Sequence, residues 1–200
     1  VTWAQTPVAT AGANITRCDG TPLAAITMTG ATATGTYSVQ AWSGGGGLGN
    51  WAQNANPALA TFTPTVISGS FVATLTLTGS GSCLGTNSTS TRTITWGQTP
   101  TATAGAAISR CDGTPLAAIL MTGASAGGSY SAVTWSGGAG LGNWAQNANP
   151  ALATFTPTVT SGAFTATLTV TGKDGCAGTN PTSNRTITWG QTPTAAAGAN

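Results

Sequence analysis

Trp3, Trp96 and Trp189 recur at a spacing of 93 residues, and the pairs Cys18/Cys111, Trp42/Trp135 and Cys83/Cys176 keep the same interval. Residues 1–93 and 94–186 agree at 70 of 93 positions, with no insertion or deletion between them. The last 14 residues, ITWGQTPTAAAGAN, match the opening of the second copy at 12 of 14 positions. A fixed period with near-identical copies is the mark of an array in which each copy is one structural module. We therefore expect repeats at 1–93 and 94–186, with 187–200 opening a third, and read the chain as a window cut from a longer repetitive polypeptide. A tandem array favours a task that depends on length or multiplicity over one built around a single active site.

Composition narrows the task further. The 200 residues include no His and no Glu, three Asp (Asp19, Asp112, Asp174), one Lys (Lys173) and four Arg (Arg17, Arg92, Arg110, Arg185). General acid–base catalysis needs His or paired carboxylates, and a Ser or Thr nucleophile needs a base beside it. Neither arrangement can be assembled here, so no enzyme, cofactor or metal centre is expected. The net charge of +2 gives no footprint for nucleic acid or an anionic membrane, and no membrane insertion is expected of this segment. A surface built from Thr, Ser, Asn and Gly in place of charges fits an extracellular protein whose faces can pack together with little repulsion.

Period-two alternation is clearest in Phe71–Thr78 and its twin Phe164–Thr171, with Phe, Ala and Leu or Val on one side and mostly Thr on the other. That pattern predicts a half-buried antiparallel strand. Further strands are expected over Leu23–Thr29 (Ala24, Ile26 and Met28 on one side), over Gly35–Trp42, around Leu59 and Phe62, and ending at Trp96. Turn signals at Asp19-Gly20, Gly44–Gly47, Asn56-Pro57, Ser68-Gly69 and Gly79–Ser82 separate them. The fold class is thus all-β, a tandem array of immunoglobulin-like β-sandwiches. The short junction ITWGQTPTATAGA, with its proline, favours a semi-rigid rod over loose beads. Two cysteines per repeat, Cys18/Cys83 and Cys111/Cys176, point to one disulfide in each repeat and an oxidising compartment. Closing a loop of about 65 residues contributes roughly 4 kcal/mol. Cys83 with Cys111, across the repeat boundary, is the rival pairing.

The ordered landmarks TATAGA…ISRCDGTPLA, YSAVTWSGGAG, NPALATFTPT, SGAFTATLTVTG and RTITW resemble the PKD-like and Ig-like repeats of giant surface proteins of Bacteroidetes-type bacteria. The resemblance covers both repeats and the partial third. It implies secretion to the bacterial cell surface, an adhesin or filament role, and no catalytic residues. The leading functional expectation is a structural repeat of an extracellular filament or stalk, with copies of itself as partners. Trp42 and Trp51, flanking the Gly-rich loop, and their twins Trp135 and Trp144 are the candidate ligand or inter-module contacts. Exposed Trp stacks on sugars, so the alternative is a multivalent binder of surface glycans, set against Trp42 as core and Trp51 as cover. The Thr faces raise a weaker alternative, an ice-binding array. Asp19 and Asp112 are expected to cap turns or to pair with the arginine two residues before, rather than to hold Ca²⁺.

Overall fold

A computed structural model of the chain describes residues 3–113 and 115–195. It divides into two compact units: Val1–Thr99 together with Asp174–Cys176, and Pro100–Lys173 together with Ala177–Asn200.

Among the described residues the first unit has nine strands: β1 (Val8–Thr10), β2 (Ile15–Asp19), β3 (Ile26–Thr27), β4 (Thr32–Thr34), β5 (Tyr37–Ser43), β6 (Gly49–Ala52), β7 (Thr61–Pro64), β8 (Ser68–Gly79) and β9 (Asn87–Gln98). One sheet has the order β2-β9-β8-β5 and another β3-β7-β6, while β1 and β4 form a short antiparallel pair. All pairings are antiparallel except β2 on β9, which runs parallel from Ile15↔Ile94 to Asp19↔Gln98. Side chains from both larger sheets meet in one cluster: Trp42, Ala73, Leu75, Ile94 and Trp96 from the first, Ile26 and Phe62 from the second. That is a β-sandwich.

The second unit repeats the plan with β10 (Thr101–Thr103), β11 (Ile108–Asp112), β12 (Ile119–Leu120), β13 (Ser125–Gly127), β14 (Tyr130–Ser136), β15 (Gly142–Ala145), β16 (Thr154–Pro157), β17 (Ser161–Gly172) and β18 (Thr182–Gln191). Its sheets are β11-β18-β17-β14 and β12-β16-β15, and its core holds Trp135, Phe155, Leu168, Ile187 and Trp189.

The alternating segment folds as expected. In β8, Ala73, Leu75 and Leu77 are buried while Val72 is exposed and Thr74 and Thr76 lie between. Elsewhere the structure adds detail that the pattern did not carry. The strand over Leu23–Thr29 contracts to Ile26–Thr27, so Ile26 and Met28 are buried but Ala24 is exposed. Leu59 ends a 3-10 turn (Pro57–Leu59) that Asn56 caps with its side-chain oxygen, and it points out while Phe62 goes in. In β5 a bulge between Tyr37 and Val39 resets the alternation, because one extra residue there shifts every following side chain to the opposite face. Val39 is therefore exposed, Trp42 is buried, and Gln40 takes the place where its copy Val133 packs on the core.

One charged residue in each unit is interior. Arg92 shares the parity of Ile94 and Trp96 on β9 and is only 4% exposed. Its Nη1 donates to the Ala11 carbonyl at 2.9 Å and the Thr29 carbonyl at 3.0 Å. Arg185 repeats this, bonding the carbonyls of Thr122 and Ala106. Burial lowers the pKa of both guanidinium groups from the ordinary arginine value. An arginine nonetheless stays charged at any working pH, so each serves as a fixed charged clasp between loop carbonyls.

Candidate functional site

The Gly-rich loop is closed by aromatic packing. Gly44 and Gly45 have φ of 103° and 70°, and a Cβ on Gly45 would come within 2.8 Å of the Phe71 ring. The loop therefore lies flat on Phe71, and the Trp51 Nε1–H donates to the Gly44 carbonyl at 2.9 Å. Trp51 stacks on Trp42 with centroids 5.7 Å apart and planes 8° from parallel, and meets Phe62 and Phe71 edge-on. Trp42 is 3% exposed, and its Nε1–H donates to the Pro57 carbonyl. Trp135 and Trp144 repeat the arrangement at 5.7 Å and 9°, with Nε1–H bonds to Pro150 and Gly137. Both members of each pair thus have a ring face covered and the indole N–H already donating, with Trp51 and Trp144 half-buried as lids over the core.

The cysteines are joined differently from the expectation of a bond inside each repeat. Cys18 is bonded to Cys176, across 158 residues of sequence, while Cys83 and Cys111 are free. Neither Cys18–Cys83 nor the rival Cys83–Cys111 forms. The reason lies in strand length. Cys18 pairs with Gly97 near the end of β9, whereas Cys83 ends a 3-10 turn just before that strand begins at Asn87. Extended chain at roughly 3.3 Å per residue puts the two sites about 33 Å apart, far beyond the Cα separation of about 7 Å that a disulfide tolerates. The second repeat obeys the same geometry, with Cys111 opposite Gly190 near the end of β18 and Cys176 before that strand starts.

The turn Asp174–Cys176, which belongs to the second repeat by sequence, is seated in the first unit against the end of β9. A Cβ at Gly175 would overlap the Arg17 carbonyl oxygen and lie 2.6 Å from the Gly97 nitrogen, so only glycine fits there. Cys176 is fully buried. Around Cys18, Arg17 pairs with Asp19 (2.8 Å) and donates to the Ala25 carbonyl. The Thr99 hydroxyl stands 3.6 Å from the sulfur. Cys111 has the same surroundings: Arg110 pairs with Asp112 at 2.8 Å, and the Thr192 hydroxyl is 3.6 Å from the thiol. Asp19 and Asp112 are thus ion-paired with their near arginines. No group of three or more metal-ligating side chains occurs among the described residues, nor does any helix long and apolar enough to cross a membrane.

No family model matches the chain. No curated protein matches it in sequence. Solved structures do match in fold. Sidekick-1 immunoglobulin domains 1–4 align with 94% of this chain and 50% of their own length at 15% identity and a TM-score of 0.53. Extracellular domains 3–5 of Drosophila OTK align with 92% of the chain and 60% of theirs, at 14% identity and a TM-score of 0.49. The I67–I69 fragment of titin covers 96% of the chain and 66% of its own length, at 12% identity and a TM-score of 0.41. At such identities the likeness is one of fold: the chain is a tandem of immunoglobulin-like β-sandwiches.

Proposed function

We propose that this chain is a structural, non-catalytic segment of a long extracellular or cell-surface filament or stalk. The supporting observation is the Cys18–Cys176 bond, which ties one sequence repeat to the next in place of stabilising each repeat alone. Such a tie favours an array whose repeats act together over modules that act one by one. The disulfide also calls for an oxidising compartment, which agrees with the surface location implied by the resemblance to bacterial PKD-like repeats. The outer faces of the four-stranded sheets suit lateral association between copies. Thr74, Thr76 and Thr78 stand beside Thr91, Thr89 and Asn87 on one side and Ser43, Ala41 and Val39 on the other, with no charge among them. The glycan-binding reading is weaker because Trp51 and Trp144 are lids on the core. Electron microscopy of native material from the producing cells is the direct test. Continuous filaments with an axial repeat of one module or a small multiple would sustain the filament, whereas separate flexible strings would defeat it and leave a stalk or a multivalent binder.

A further inference from the structure

A glutamine covers one open edge of each four-stranded sheet. β5 ends the order β2-β9-β8-β5 and β14 ends the order β11-β18-β17-β14, so each has a strand neighbour on one side only. A strand so placed presents backbone N–H and C=O groups that another chain can pair with, and proteins blunt such edges with lysine, proline or a bulge. Both strands have a bulge near their start, between Tyr37 and Val39 and between Tyr130 and Ala132. Beyond it, residues 39–43 and 132–136 include no charge and no proline. A side chain closes the edge there instead. Gln53, just after β6, accepts from the Trp42 N–H through Oε1 at 2.9 Å and donates from Nε2 to the Trp42 carbonyl at 2.7 Å. Gln146, just after β15, holds the Trp135 backbone at the same two distances. One amide thus occupies both groups that a neighbouring strand would bond at that residue.

The two guards are not equally fastened. In the first unit the Gln40 Nε2 also donates to the carbonyls of Asn54 and Ala55, at 2.8 and 2.6 Å, and so ties the segment that carries Gln53 to β5 a second time. The copy of Gln40 is Val133, which packs on the core and has no amide to give. Among the described residues, Gln146 therefore makes the only side-chain hydrogen bonds between segment 146–148 and β14.

We infer that β14 is a latent pairing edge for a second copy of this chain, joined β14 to β14 in antiparallel register, and that Gln146 is the contact that keeps it shut. A strand paired antiparallel with itself obeys a two-fold axis, so each copy supplies the same groups that it receives. The edge beyond the bulge has no charge that would need an opposite charge from a different partner. In the first unit Gln40 keeps the segment seated even when Gln53 is lost, so β5 stays closed. The inference does not rest on the filament reading. It adds that the chain shuts its strand edges against other copies, which leaves the uncharged sheet faces for any lateral contact.

The test compares the full chain with its Gln146→Ala variant by sedimentation velocity over a concentration series and by amide hydrogen exchange. Gln146→Ala should dimerise beyond any association of the parent. Its Trp135 amide should exchange faster than the parent's when dilute and slow again as dimers form. Gln53→Ala removes the same two bonds from Trp42 yet should stay at the parent's level, whereas Gln53→Ala with Gln40→Val should associate. Gln146→Glu separates edge pairing from simple loosening of the fold. It loses the donation to the Trp135 carbonyl as alanine does, but it sets a charge on the edge and should associate no more than the parent. Gln146→Ala at the parent's level, Gln146→Glu associating as strongly as Gln146→Ala, or dimers whose Trp135 amide stays unprotected would each overturn the inference. Gln53→Ala associating as strongly as Gln146→Ala would overturn the part given to Gln40.

Discussion

The turns Gly81–Cys83 and Asp174–Cys176 hold the same place in their repeats, between the last two strands, yet only the second is covalently tied. The aromatic clusters behave in the opposite way. Trp42–Trp51 and Trp135–Trp144 differ by 1° in interplanar angle and not at all in separation. Each ring that packs on Trp42 and Trp51, or on Trp135 and Trp144, lies within the same repeat, so near-identical sequence produces near-identical packing. The partner of the cysteine turn lies one repeat away. Its fate therefore depends on what stands beyond its own module, and local identity does not carry it over.

Gly175→Val should disturb this contrast most. Its side chain has no room against the Arg17 and Gly97 backbone, so the second turn becomes as unattached as the first. Losing a crosslink across 158 residues removes roughly 5 kcal/mol of loop-closure entropy. Thiol titration of the unfolded variant should find four reactive cysteines where the parent has two. A variant that keeps the bond and the parent's denaturation midpoint would erase the distinction.

Trp42→Ala and Trp135→Ala should each cost about 3–5 kcal/mol, as deletion of a large core aromatic does, and the two costs should match closely. Thermal melts followed by fluorescence would show it. A large disparity would mean that the copies are not equivalent in energy.

Arg92→Ala and Arg185→Ala should each cost about 1–3 kcal/mol, through the loop carbonyls left without a donor. Arg92→Met should be milder, because it keeps the apolar stem and removes a buried charge. Denaturant titration of the three variants ranks them.

Trp51→Ala has the smallest expected effect, about 1–2 kcal/mol for a half-covered ring, with no change on a glycan array. Loss of a carbohydrate signal in that variant would revive the multivalent-binder reading.

The alternation of β8 was legible because a strand buried on one face writes its period directly into the sequence. The bulge in β5 was not legible, since it changes parity without any Gly or Pro to announce it. Arg92 could have been found: it stands two residues from Ile94 and four from Trp96, the parity of the core. The interval between Cys18 and Cys83 carried no such information. Sequence spacing says nothing of which end of a sandwich a residue occupies, and two cysteines at opposite ends of one strand cannot meet.

The position of the disulfide also has a mechanical meaning. Tension applied to the two ends of the chain reaches Cys18 and crosses directly to Cys176, bypassing everything between. While the bond holds, only the segments before Cys18 and after Cys176 can be drawn out, roughly a fifth of the fully extended length. Reduction would release the rest as hidden length, so an array braced in this way would respond to its redox surroundings as a change in how far it can stretch.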